Sequence, residues 1–193
     1  MITDLKHYIL HQKEFFDKEL CAQTVSDLQR LKFKPHTYYN AAENTDLPRT
    51  DGEELSVTWD HDNKVSTNRT LVKKLWQAIS NYLDYIDTTK LGFYGWNGYT
   101  ALRFNKYMKN KRLPPHCDHI QSMFDGKRKG IPILSIVGTL NDDYEGGEFI
   151  MFDDYVVPFK TGDVVMFPSV FLYPHRVEPV KKGIRYSYSS WVW

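Results

Sequence analysis

The stretch Gly147-Glu-Phe-Ile-Met-Phe152-Asp-Asp-Tyr155-Val-Val-Pro-Phe159-Lys-Thr-Gly162-Asp-Val-Val-Met-Phe167-Pro-Ser169 decides the fold. Short apolar runs alternate here with polar or glycine punctuation, the pattern of brief strands joined by tight turns. Residues 148–152 and 155–159 read as the two arms of a hairpin turned at Asp153-Asp154, and 163–167 as the strand that follows. Working outward, residues 99–107, 133–140, 176–180 and 184–193 have the same character, with Asn141-Asp-Asp143 and Glu145-Gly-Gly147 as further turns. About eight strands complete a jelly roll, so the chain from residue 98 onward is expected to be mainly β.

Upstream the spacing changes. Asp17 is placed to cap a helix running to about Leu31, because Leu20, Thr24, Leu28 and Leu31 recur at steps of three and four. Leu71, Leu75, Ile79, Leu83 and Ile86 form a longer apolar stripe, widened by Val72, Trp76 and Tyr82, and this helix is expected to pack on the sheet. Residues 40–52 are polar and hold Asn, Asp and Pro, so they read as a loop lying over a site. Residues 54–59 are a candidate strand. The expected organisation is one domain over 1–193, with N-terminal helical support over about 1–90 and a jelly-roll core over about 98–193.

Composition limits the function. The chain of 193 residues is 41% hydrophobic and 15% aromatic, enough to bury a core. A formal net charge of +1 creates no long-range field, so a general nucleic-acid binder is not expected. Cys21 and Cys117 form no metal-ribbon or disulfide pattern, which favours a reducing, cytoplasmic home. The longest strictly apolar runs, such as Phe149-Ile-Met-Phe152, are four residues, whereas a membrane helix needs about 20. The acidic residues Asp4, Glu14, Asp17 and Glu19 argue against a leader peptide, and no membrane partner is expected.

The residues with chemical potential lie in the β half. His116-Cys117-Asp118 sets an imidazole and a carboxylate on the same side of an extended segment, able to take two positions on one metal. Alone, the pattern reads first as a surface histidine beside a turn aspartate. His175 begins a later strand that a jelly roll brings beside the first. Two histidines and one carboxylate leave positions open on Fe(II), where structural zinc closes its fourth position with protein. His119 points to the other face. Arg185, ten residues after His175, reads either as a surface residue paired with Glu178 or as an anion anchor.

With these residues in place the sequence resembles the Fe(II)- and 2-oxoglutarate-dependent dioxygenases of the prolyl 4-hydroxylase type. The resemblance runs through His116-x-Asp118, His175 and Arg185, supported by Leu140-Asn141, Tyr144-Glu-Gly-Gly-Glu-Phe149 and Gly162-Asp163 to Phe167-Pro168, and covers roughly residues 99–193. It implies a double-stranded β-helix of the jelly-roll or cupin kind. It implies Fe(II) held by His116, Asp118 and His175, with 2-oxoglutarate and O2 as co-substrates and ascorbate as a reductant. It implies hydroxylation of a C–H bond, in a peptide or protein substrate, coupled to conversion of 2-oxoglutarate to succinate and CO2. Arg185 is then the anchor for the far carboxylate of 2-oxoglutarate, assisted by Thr139 or by Ser187 or Ser189. Tyr107 is the co-substrate contact where many relatives place a Tyr, Phe104 being the other candidate, and Trp191 lines the pocket. Alternative readings are a non-catalytic jelly-roll module that binds a metal or ligand, and an oxygenase acting on a free amino acid or nucleobase. Lys106, Lys109, Lys111, Arg112, Lys127, Arg128 and Lys129 form either a basic rim or a solvated loop.

Overall fold

The structure is a computed structural model and describes residues 4–40, 45–48, 53–60, 63–87, 95–118 and 132–193. In chain order, a 3₁₀ turn at Leu5–Tyr8 leads to β1 (Leu10–Gln12), α1 (Lys18–Leu28), β2 (Lys34–Pro35), β3 (Thr37–Asn40), β4 (Thr45–Pro48), β5 (Ser56–Trp59) and α2 (Asn68–Ile86). The β half holds β6 (Arg103–Tyr107), β7 (Leu113–His116), β8 (Leu134–Thr139), β9 (Glu145–Gly146), β10 (Phe149–Met151) and β11 (Tyr155–Val157). It ends with β12 (Val164–Pro168), β13 (His175–Val177), β14 (Val180–Lys182) and β15 (Arg185–Val192).

A seven-stranded sheet in the order β1-β12-β8-β15-β6-β5-β2 faces a four-stranded sheet in the order β11-β10-β13-β7, and every pairing within both is antiparallel. This is the expected mainly β, double-stranded β-helix arrangement with helices on one side.

Side-chain alternation builds the two cores. On β12, Val164 and Met166 join the helices, while Val165 and Phe167 point between the sheets. On β15, Tyr186, Tyr188 and Val192 pack toward the helices, and Arg185, Ser187, Ser189 and Trp191 face the interior pocket. On β6, Phe104 lies in the helix-side core while Arg103, Asn105 and Tyr107 line the pocket. The large sheet is thus covered on both faces, and all eight residues of β15 are buried.

The helices stand near where their periodicity predicts. The Asp17 carboxylate accepts from the Leu20 N–H at 2.7 Å, capping α1. The helix ends at Leu28 because the chain tightens into three-residue turns, Arg30 N–H to Asp27 carbonyl and Leu31 N–H to Leu28 carbonyl, both 3.1 Å. On α2 the buried stripe runs through Leu71, Leu75, Ala78, Ile79 and Tyr82. Trp76 does not widen it: its side chain is 55% exposed, with its ring 5.7 Å from that of Trp96.

Several strands differ from expectation. The N-terminal part is more than helical support, since β1, β2 and β5 extend the large sheet. Within the stretch expected as a polar loop, 40–52, residues 45–48 form β4, which pairs antiparallel with β3, while 41–44 and 49–52 lie outside the described residues. The expected strand at 176–180 is two strands, broken where Glu178-Pro179 interrupts the ladder. Glu145-Gly146, expected as turn, pairs with β14, the chain bending through positive φ at Gly146 and Gly147.

One close approach fixes the centre of the large sheet. Tyr188 lies opposite Gly138, and a Cβ there would sit 2.1 Å from the tyrosine Cζ. Gly138→Ala is therefore expected to cost about 1–3 kcal/mol through overpacking, measured as a lower denaturant midpoint. An unchanged midpoint would show that Tyr188 yields freely.

Candidate metal and co-substrate site

β7 is an edge strand, which is why it tolerates Pro114 and Pro115. It pairs with β13 so that His116 and His175 are direct cross-strand partners, their ring centroids 4.3 Å apart. Asp118 follows two residues after His116, its Oδ1 lying 3.4 Å from His116 Nε2 and 3.7 Å from His175 Nε2. One ligand atom from each residue lies within 4.8 Å of the others.

The other ring nitrogens decide what this cluster offers. His116 Nδ1 is 2.8 Å from the Pro114 carbonyl and His175 Nδ1 is 3.1 Å from the Tyr173 carbonyl. A carbonyl only accepts, so both Nδ1 atoms carry hydrogen and each neutral imidazole turns its Nε2 lone pair inward. His175 is buried between Phe149 and Phe167, ring centroids 5.3 and 5.0 Å away, and this burial pulls its pKa down to about 4 despite the nearby Asp118. Burial also works against charge on Asp118, but His175, His116 and Ser135 outweigh it and hold the carboxyl below the usual carboxylate range. Both Nε2 atoms and the Asp118 carboxylate thus converge as three potential ligand atoms, a two-histidine, one-carboxylate set that matches ferrous iron with open positions.

Across the pocket, Arg185 begins β15 and is 1% exposed. Its guanidinium lies 4.9 Å from the centroid of the Tyr107 ring, and Nη1 donates to Ser187 Oγ at 2.9 Å. Nε and Nη2 have no hydrogen-bond partner among the described residues. Glu178 does not pair with Arg185, because it accepts from Arg176 Nε at 2.7 Å. A buried cation with two free donors fits a carboxylate. Gly147 lets the 145–147 turn close on this arginine, since a Cβ there would stand 3.2 Å from Arg185 Cδ.

Tyr107, Ser187 and Trp191 line the same pocket as the His-Asp-His cluster. Ser189 also lines it, but accepts from Asn105 Nδ2 at 3.0 Å. Thr139 needs correction: its hydroxyl donates to the Asn141 carbonyl at 3.0 Å and the residue does not line the pocket. Ser187 is the hydroxyl at the Arg185 fork. Lys106 and Arg112 do not form a rim, as Lys106 Nζ lies over Phe33 and Arg112 pairs with Glu53 at 2.8 Å. His119 and residues 127–129 lie outside the described residues. Sequence reasoning missed Arg103, Asn105, Val137 and Phe149 as lining residues. The available signal was the alternation from Tyr107 back along β6.

The double-stranded β-helix thus brings a two-histidine, one-carboxylate cluster and a buried arginine into one pocket. Residues 102–193 match the family model of the 2OG-Fe(II) oxygenase superfamily. A PKHD-type hydroxylase of Aliarcobacter butzleri is 34% identical over 96 residues, covering 46% of this chain and 41% of the relative. One from Xylella fastidiosa is 35% identical over 100 residues, covering 47% and 43%. The chain thus spans less than half the length of these curated relatives. In fold it is similar to a Trichoplax adhaerens prolyl hydroxylase solved with a hypoxia inducible factor peptide (TM-score 0.70, 17% identity, 97% of this chain and 84% of that one). It is also similar to a Pseudomonas putida prolyl-4-hydroxylase (TM-score 0.65, 20% identity, 96% and 92%).

Proposed function

We propose that the protein is an Fe(II)- and 2-oxoglutarate-dependent oxygenase that hydroxylates a C–H bond in a peptide or protein, in the manner of a prolyl hydroxylase. The observation that carries this reading is the pairing, in one pocket, of the His116-Asp118-His175 cluster with the unsatisfied Arg185 guanidinium. In this reading His116, Asp118 and His175 hold the iron, which supplies the redox chemistry coupling 2-oxoglutarate decarboxylation to substrate hydroxylation.

The chain's own residues bind and enclose. Arg185 and Ser187 take the far carboxylate of 2-oxoglutarate, and Tyr107 backs the guanidinium with its ring. Burial pushes the Tyr107 phenol above its usual pKa, against the pull of Arg185 and Arg103, so it stays protonated and able to donate. Phe149, Val137 and Trp191 supply apolar wall that keeps water out. Ascorbate serves as reductant, and the two free cysteines suit a cytoplasmic setting. Among the described residues no helix is long and apolar enough to cross a membrane. The helices and the jelly roll act as one domain.

The reading is tested without knowing the substrate. Adding Fe(II) and 2-oxoglutarate to the protein without O2 is expected to produce a weak visible charge-transfer band, and admitting O2 is expected to yield succinate slowly. Absence of the band in the intact protein would favour a jelly-roll module that binds without turnover.

A further inference from the structure

Arg103 is the charged side chain of the pocket for which the proposed function has no use. Its guanidinium stacks 4.8 Å from the centroid of the Trp191 ring, and its Nε donates to Asn105 Oδ1 at 3.1 Å. No other hydrogen bond or ion pair engages it among the described residues. Asp118 is the carboxylate whose charge reaches it, and Asp118 is already assigned to the metal. Glu54, with its side chain 8% exposed, is taken up by His36 at 2.6 Å.

The charge count sets the requirement. A divalent cation and Arg185 are balanced by Asp118 and the two carboxylates of 2-oxoglutarate, which leaves the Arg103 cation uncompensated in a largely closed pocket. Its position separates it from the co-substrate anchor. Arg185 pairs with Tyr107 and Arg103 with Ser189, so the two arginine positions stand four residues apart along the ladder, roughly 13 Å. Arg185 is fully buried, whereas Arg103 keeps intermediate exposure.

We propose that Arg103 recognises a carboxylate on the substrate, lying within one residue of the carbon that is oxidised. This rests on the oxygenase reading above and adds a substrate class to it. The carboxylate has two sources, a C-terminal α-carboxylate on the target residue or a neighbouring acidic side chain. Trp191 holds the guanidinium flat and Asn105 fixes its Nε edge, leaving the Nη nitrogens to form a two-point contact.

Two pairs of probes distinguish the sources: a short peptide ending in proline as acid or amide, and a blocked peptide containing Pro-Glu or Pro-Gln. Binding is measured by calorimetry without O2 on the Fe(II)- and 2-oxoglutarate-loaded protein, and oxidation by the mass gain of one oxygen. The wild type is expected to prefer the acid form of one pair by about tenfold or more. Arg103→Met, which keeps the stem on Trp191, should bring that ratio near one while 2-oxoglutarate affinity stays within about twofold. Arg103→Lys should retain much of the preference, which guards against a folding defect in the first variant. Equal treatment of acid and amide in both pairs overturns the assignment. So does a loaded wild type that binds no acid probe, or an Arg103→Met variant whose main loss is 2-oxoglutarate affinity. A wild type without the charge-transfer band refutes the oxygenase reading itself.

Discussion

Arg185→Leu is expected to weaken 2-oxoglutarate binding by about 100-fold or more while leaving the ligand-free protein at least as stable as the wild type. The two halves come from the same fact. Without ligand, the guanidinium is buried with Nε and Nη2 unpartnered, compensated only by Ser187 and the Tyr107 ring. A buried charge in that condition costs stability, and an apolar side chain in its place removes that cost. With ligand, the fork meets a carboxylate, and losing one side of a buried charge pair costs about 2–5 kcal/mol. Thermal unfolding separates the effects. At a 2-oxoglutarate concentration about 100 times its dissociation constant, the metal-loaded wild type gains roughly 2.7 kcal/mol, and the variant should gain only a few tenths. Arg185→Lys should fall between, since it keeps the charge and loses the planar fork. A leucine variant that melts far lower without ligand and keeps the full ligand shift would make Arg185 a structural residue, and the anchor would have to be sought elsewhere.

The parts of the fold legible in the sequence were those where one periodicity dominates. The α2 stripe and β12 carry continuous apolar patterns, β8 and β15 are long runs bounded by turn residues, and each appears near its expected place. β7 was not legible, because Pro114 and Pro115 argue against a strand unless it is known to lie at an edge. What stayed open was the register, since a jelly roll places the two segments side by side but does not fix His116 directly opposite His175. β1 and β2 are only three and two residues long, too short for a pattern to emerge, and their place is set by pairing with distant strands. Arg185 stood out through its distance from His175, whereas Arg103 resembles any arginine in a half-buried strand until Trp191 and Asn105 are seen beside it. Thr139 failed for a local reason: a threonine hydroxyl near a turn finds a backbone carbonyl sooner than a pocket.

Asp118→Ala is expected to lower ferrous-iron affinity by more than about 100-fold and reduce succinate formation to background. Losing an outer partner of a metal ligand already costs about 10- to 100-fold, and Asp118 is a charged member of the cluster itself. Its removal leaves two imidazoles, whose Nδ1 atoms are tied to Pro114 and Tyr173 and cannot swing to replace a third ligand. The substitution also removes the negative charge that attracts a divalent ion into a pocket already lined by Arg103 and Arg185. The scaffold should be spared, because His175 remains packed between Phe149 and Phe167 and its pairing with His116 does not pass through the carboxylate. Calorimetric titration with Mn(II) as an air-stable substitute, beside a melting curve of the metal-free protein, reads both effects. Near-normal metal affinity in a folded Asp118→Ala protein would remove the carboxylate from the ligand set and, with it, the reason for the open positions on which the oxygenase reading depends.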